Sequence, residues 1–197
     1  MVESIYLAGR CLEFERESHT YALDGIVVPS VTTILKSRFP DTYSCVKPEV
    51  LQAAAERGTQ IHAAIERFCR TGWEACLPEI DGFKDLMDRH GLRVFGNELP
   101  LILFDAGEPV AAGTADLVFE MDGCTCGADI KTTSRLYKDY LECQLNLYRL
   151  GYEQTYGSLW DKLYALHLRG DHKKLVEIPV NEELAFEIIR RYKEETC

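Results

Sequence analysis

"GTADLVFEMDGCTCGADIKTTS", Gly113 to Ser134, contains two short apolar runs, each with charge embedded in it. Both runs read as β-strands, Val110 to Met121 and Thr125 to Thr132, and Asp122-Gly123 between them is a tight-hairpin signal. Side chains alternate along a strand, so Asp129 and Lys131 share one face while Ala128 and Ile130 point into the opposite layer. By the same rule Asp116 shares a face with Thr114 and Val118. The hairpin makes the strands neighbours and brings Asp116 close to Asp129. Two carboxylates that near repel unless one is protonated or a cation lies between them. Burying either one unpaired costs several kcal/mol. Oxygen ligands of this kind suit Mg²⁺ or Mn²⁺, with Lys131 placed to orient water or stabilise phosphate charge. A structural Asp–Lys ion pair is the competing explanation.

Outward from this hairpin the chain alternates helices and strands. Arg10 to Val28 alternates and turns at Asp24-Gly25. Ser30 is placed to cap a short helix in "VPSVTTIL". Apolar residues from Val50 to Phe68 recur at helical spacing over Glu49 to Arg70, where Gly58 marks either a close approach or a break. A second helix covers Ile80 to His90 and stops at Gly91. Arg93 to Phe104 is a further strand. Leu136 to Tyr156 is helical, Lys162 to Arg169 and Lys174 to Val180 are strands, and Asn181 to Glu195 is a final helix. Hairpins among helix-flanked strands give a mixed α/β or α+β sheet.

The totals restrict the function. A chain of 197 residues suits one domain. No apolar run spans a bilayer and no export signal opens the chain, so a cytoplasmic protein without membrane contact is expected. The eight cysteines are scattered, and Cys124 and Cys126 lack a partner pair at zinc-site spacing. Reduced thiols follow. A net charge of −10 argues against a protein that coats itself with nucleic acid. It permits a local basic groove and suits a site that gathers cations.

Two helices add chemistry. His62 and Glu66 stand four apart in "GTQIHAAIERF", and Gln144 and Tyr148 repeat that relation in "ECQLNLYRLGY". Taken alone, each pair also reads as an ordinary amphipathic face.

The ordered set of His62, "GTADL", "ADIKT" and "QLNLY" resembles the RecB-type branch of the PD-(D/E)XK nuclease superfamily. "SHTYALDGIVVPSVTTIL" is similar to the opening of its phage and prophage members. The glycine of the helical motif, Gly58, lies four residues before His62, one more than the family spacing. The resemblance implies a restriction-endonuclease-like αβββαβ core in a single domain over 1–197, elaborated by an N-terminal hairpin and short helix over about 1–45. It implies metal-dependent phosphodiester hydrolysis with Mg²⁺ or Mn²⁺. Asp116 and Asp129 become metal ligands with the Ile130 carbonyl as a candidate third, His62 becomes an additional ligand or a water-orienting group, and Glu66 and Glu98 are further candidates. Lys131 becomes the catalytic lysine, and Gln144 and Tyr148 support the site or contact DNA. Only Cys197 follows the Q-x-x-x-Y helix, so no iron–sulfur cluster is expected.

DNA is the implied partner, with linear double-stranded ends as substrate. Arg57, Arg135 and Lys138 are the candidate phosphate contacts, and Tyr137 and Tyr140 could stack on bases. The favoured activity is an exonuclease of recombination or end processing, with room for an annealing partner protein and for a homo-oligomer. An endonuclease, a non-cutting metal-binding module that recruits a recombination partner, and a structural protein built on ion pairs are the alternatives.

Overall fold

The computed structural model describes residues 2–15, 20–42, 44 and 46–196. Cys45 and Cys197, and Ser18 and His19 of the opening motif, lie outside these residues. Four short strands come first: β1 (Val2–Leu7), β2 (Arg10–Glu15), β3 (Thr20–Leu23) and β4 (Ile26–Val28). They pair antiparallel in chain order. Asp24 and Gly25 form the expected turn, with left-handed φ of 50° and 81° that suit a tight hairpin. β1 goes beyond the expected hairpin. Its residues mix polar and apolar on both faces, so its alternation carries little signal.

Ser30 caps α1 (Val31–Arg38), its Oγ accepting from the Thr33 N–H at 3.0 Å. α2 (Pro48–Thr71) runs unbroken through Gly58. A Cβ on that glycine would stand 3.4 Å from Thr132 Oγ1, an ordinary contact, so neither a break nor a forced close approach explains it. α3 (Pro78–His90) ends on left-handed Gly91.

The second sheet holds β5 (Arg93–Asp105), β6 (Glu108–Met121) and β7 (Cys124–Lys131). After α4 (Lys138–Tyr156) it is completed by β8 (Lys162–Arg169) and β9 (His172–Ile178), and α5 (Glu182–Thr196) closes the described chain. The strand order is β5-β6-β7-β8-β9. Only β7 and β8 run parallel, because α4 is the long crossover that parallel neighbours require. The architecture is mixed α+β.

Helices cover one face of this sheet, where Val31, Leu145 and Ile188 of α1, α4 and α5 pack on Leu101, Val118 and Ala165. On the other face Ile61, Ile65 and Phe83 of α2 and α3 pack on Leu117, Phe119 and Ile130. The N-terminal sheet covers the rest, Leu12 and Tyr21 lying against Ile102 and Ala112. A bridge from Ser30 to Ala112 joins it to β6. No described helix is long and apolar enough to cross a membrane.

Candidate metal centre

β6 and β7 pair only between Leu117↔Ala128 and Met121↔Cys124, whereas β7 stays paired with β8 as far as Lys131. The strands therefore part at Asp116 and Asp129. Ile130 has left the β6 ladder, yet its buried backbone groups still need partners. Two side chains supply them. Asp116 Oδ2 accepts from the Ile130 N–H at 2.7 Å, and His62 Nε2 donates to the Ile130 carbonyl at 3.0 Å.

The expectation that Thr114, Asp116 and Val118 share a face is corrected here. The Thr114 hydroxyl meets the Tyr21 hydroxyl at 3.0 Å under the N-terminal sheet, while Val118 packs beneath α4. Ala115 joins Val118 on the α4 side and Leu117 lies on the α2 side, so alternation slips at Asp116. Opposite the slip, the register passes from Asn97↔Leu117 to Leu99↔Ala115 around Glu98. Glu98 has a φ of +49°, a conformation costly for a side-chain-bearing residue. That strained turn brings the Glu98 carboxylate to the site.

His62 Nδ1 lies 3.6 Å from Asp116 Oδ1 and 3.7 Å from Glu98 Oε1. One ligand atom from each of these three residues falls within 4.8 Å of the others. A cation with bonds of about 2.1 Å spans ligands up to about 4.2 Å apart, so a small contraction would close the cluster on one. The two carboxylates are donors of the kind that hard divalent cations take, whereas the imidazole is a donor that transition ions prefer over Mg²⁺. The donor set could hold a divalent metal ion.

Burial pushes the Asp116 carboxyl up, with the His62 imidazolium pulling it back and Glu98 adding to the rise. Burial likewise lifts Asp129 to about 6, against Lys131 and with help from Asp116. For His62, burial disfavours the imidazolium, but Asp116, Glu98 and Asp129 outweigh it and hold the ring at about 9. Without a metal, the protonated His62 is therefore the local countercharge.

Asp129 belongs to a neighbouring network. Its Oδ2 pairs with Lys131 Nζ at 2.7 Å, Lys131 Nζ donates to Gln144 Oε1 at 3.2 Å, and Gln144 Nε2 donates to the Tyr148 hydroxyl at 3.3 Å. Burial opposes the Lys131 charge, but Asp129 and Asp116 keep it a cation. The Tyr148 phenol, raised first by burial and then by Asp129, stays neutral.

A cavity of about 850 Å³ opens onto both groups. Its far wall is the N-terminal sheet, with Ile5, Phe14 and Tyr21 facing the carboxylates. Sequence reasoning missed this wall. The apolar alternation of Leu12 and Phe14 was the available signal, but nothing local ties it to β6.

The other candidates have definite places. Glu66 lines the cavity, but its carboxylate accepts from Arg70 at 3.1 Å and stands outside the three-residue cluster. Arg57 Nη2 is committed to Glu79 Oε2 at 2.7 Å, and Glu79 also accepts from the Gly170 N–H, so this arginine braces α2 against α3. Arg135 and Lys138 are exposed before and at the start of α4, and the Arg135 guanidinium lies over the Tyr137 ring. Tyr140 is half-buried against Phe39. Cys126 is buried in the core and its thiol donates to the Cys124 carbonyl.

No family model and no curated protein matches this chain. A solved structure described only as the crystal structure of SSO0001 is similar over 86% of this chain and 74% of its own, with 16% identity and a TM-score of 0.47.

Proposed function

We propose that this chain is a divalent-metal-dependent nuclease on a single restriction-endonuclease-like domain, hydrolysing phosphodiester bonds in DNA. One observation carries the reading. At the parting of β6 and β7, a cavity gathers His62, Glu98 and Asp116 beside a buried Asp129–Lys131–Gln144 network. The chain order of a helix, three antiparallel strands, a crossover helix and a parallel strand supports it, since this is the αβββαβ order of that core.

Mg²⁺ or Mn²⁺, held by His62 Nδ1, Glu98 and Asp116, would supply neutralisation of phosphate charge and acidification of water. The protein's own residues do the rest. Lys131 Nζ, held between Asp129 and Gln144, offers positive charge where a phosphate oxygen gathers charge in the transition state. Gln144 is kept in orientation by Tyr148, whose neutral hydroxyl is its partner. His62 ties the ligand cluster to the β7 backbone through the Ile130 carbonyl, so the two carboxylates and the lysine keep a fixed spacing. The N-terminal sheet walls one side of the cavity, and the similarity of the opening segment to phage and prophage nucleases supports an exonuclease of recombination or end processing.

The test is digestion of linear and circular DNA with Mg²⁺, Mn²⁺ or EDTA. Metal-dependent loss of linear DNA alone is expected. Cutting of circles would make the protein an endonuclease, and cleavage of neither would leave a metal-binding module that recruits a partner.

A further inference from the structure

An acidic chain commits most of its cations to carboxylates. Arg57 pairs with Glu79, Lys173 with Asp85, Arg149 with Glu182 and Lys193 with Asp105. Arg135, Lys138, Arg169 and Lys174 form no ion pair among the described residues, and all four are exposed. They are scattered in sequence but gathered by the sheet.

Lys131 of β7 is directly opposite His167 of β8, and His167 is opposite Lys174 of β9. Directly opposed residues point to one face. It is the α4 face, because Ala165 and Val176, two residues back along the same strands, pack in the α4 core. With strands about 4.8 Å apart, Lys131, His167 and Lys174 make a row about 10 Å long. Arg169 and His172 are paired one step further along the same strands. His167 Nε2 donates to the Thr133 carbonyl at 2.7 Å, which pins the loop carrying Arg135 beside the row. His172 lies 3.1 Å from the other ring nitrogen of His167 and extends the row outward. Two acids border the lane, Asp139 next to Lys138 and Asp171 in the β8–β9 turn.

We infer that the exposed cations Arg169 and Lys174, with Arg135 and Lys138, set beside Lys131 by a buried His167 whose two ring nitrogens are already engaged, form the track on which a nucleic-acid strand lays its phosphates as it enters the site. The inference rests on the nuclease reading and supplies its missing substrate surface. A chain of net charge −10 repels a polyanion overall, so binding needs a local cationic surface, and phosphate contacts set register without reading sequence. The lane begins at the lysine that faces the cavity, so a strand held on it delivers a phosphate there. Arg57, committed to Glu79, is not part of it.

The test compares Arg169→Gln/Lys174→Gln and Arg135→Gln/Lys138→Gln with Lys162→Gln/Arg190→Gln, which changes net charge equally away from the lane. Binding of a fluorescein-labelled single-stranded oligonucleotide is read by anisotropy across a salt series, with Ca²⁺ replacing Mg²⁺ to hold back cleavage. Each lane variant should bind about tenfold more weakly at low salt, with a salt slope reduced by about 1.4, roughly 0.7 per lost contact. The control should match wild type. Equal losses in lane and control variants, or no loss in either, would overturn the track. So would polyglutamate competing as well as DNA, since the lane would then prefer acidic protein. Abolished cleavage in Asp116→Asn alongside unchanged binding in the lane variants would remove the track and leave the nuclease reading standing. A wild-type protein that neither binds nor cuts nucleic acid would remove both.

Discussion

Lys131 holds opposite relations to metal and to turnover. Its ammonium neutralises Asp129 at 2.7 Å, so Lys131→Ala should leave Mn²⁺ affinity unchanged or higher. Cleavage should still fall by about 10²-fold or more, the scale of losing one preorganised charge stabiliser. Gln144→Ala should reduce turnover less, because Asp129 still holds the lysine; single-turnover cleavage beside a Mn²⁺ titration reads both. The site also shapes stability in EDTA. Asp129 is raised from 3.8 to about 6 and His62 from 6.5 to about 9, so the folded state binds both protons more tightly than the unfolded one. Stability is then greatest at low pH within each window and falls as pH rises. The melting temperature should drop between pH 3.8 and 6 through Asp129 and between 6.5 and 9 through His62. His62→Gln should remove most of the second drop, and a flat wild-type profile from 6.5 to 9 would count against the described cluster. The acids and the lysine were legible because charge inside an apolar run violates burial. The slip at Asp116 was not, because it depends on the left-handed turn of Glu98 across the sheet.

At the scale of elements, two glycines make opposite predictions. Gly58 lies inside α2 with Thr132 Oγ1 at an ordinary contact distance of 3.4 Å from an added Cβ. Gly58→Ala should therefore stabilise the fold by up to about 1 kcal/mol, the helix-interior difference between the two residues. Gly127 lies under the buried Trp160 ring, and a Cβ there would run into the indole. Gly127→Ala should cost at least about 1–3 kcal/mol, the range for overpacking a core; urea melts of both variants decide. The sequence carried the long helices through their period and the hairpins through Asp-Gly turns. It carried α2 past Gly58 only as an ambiguity between a close approach and a break, since only the tertiary fold shows that a Cβ there meets no more than an ordinary contact with Thr132. Alternation over Arg10 to Val28 marked the N-terminal hairpin, but β1 stayed hidden, because a short strand with polar residues on both faces leaves almost no periodic signal. The order of the second sheet is likewise set by tertiary packing, above all by α4 carrying the chain from β7 to a parallel β8.

The whole molecule separates its charges. Acids gather where β6 and β7 part, four of the uncommitted cations lie at the neighbouring strand ends and the start of α4, and the N-terminal sheet walls one side of the cavity. Composition told only that the balance is acidic; which cations are free emerges once ion pairs such as Arg57–Glu79 are formed. The arrangement has one requirement on which everything else depends: the facing carboxylates must bind a cation. Calorimetric titration of Mn²⁺ into wild type and Asp116→Asn tests it most directly. Saturable binding by wild type, largely lost in Asp116→Asn while that variant still melts cooperatively, is the predicted result. A wild-type protein that binds no Mn²⁺, or an Asp116→Asn variant that binds it equally well, would contradict the account.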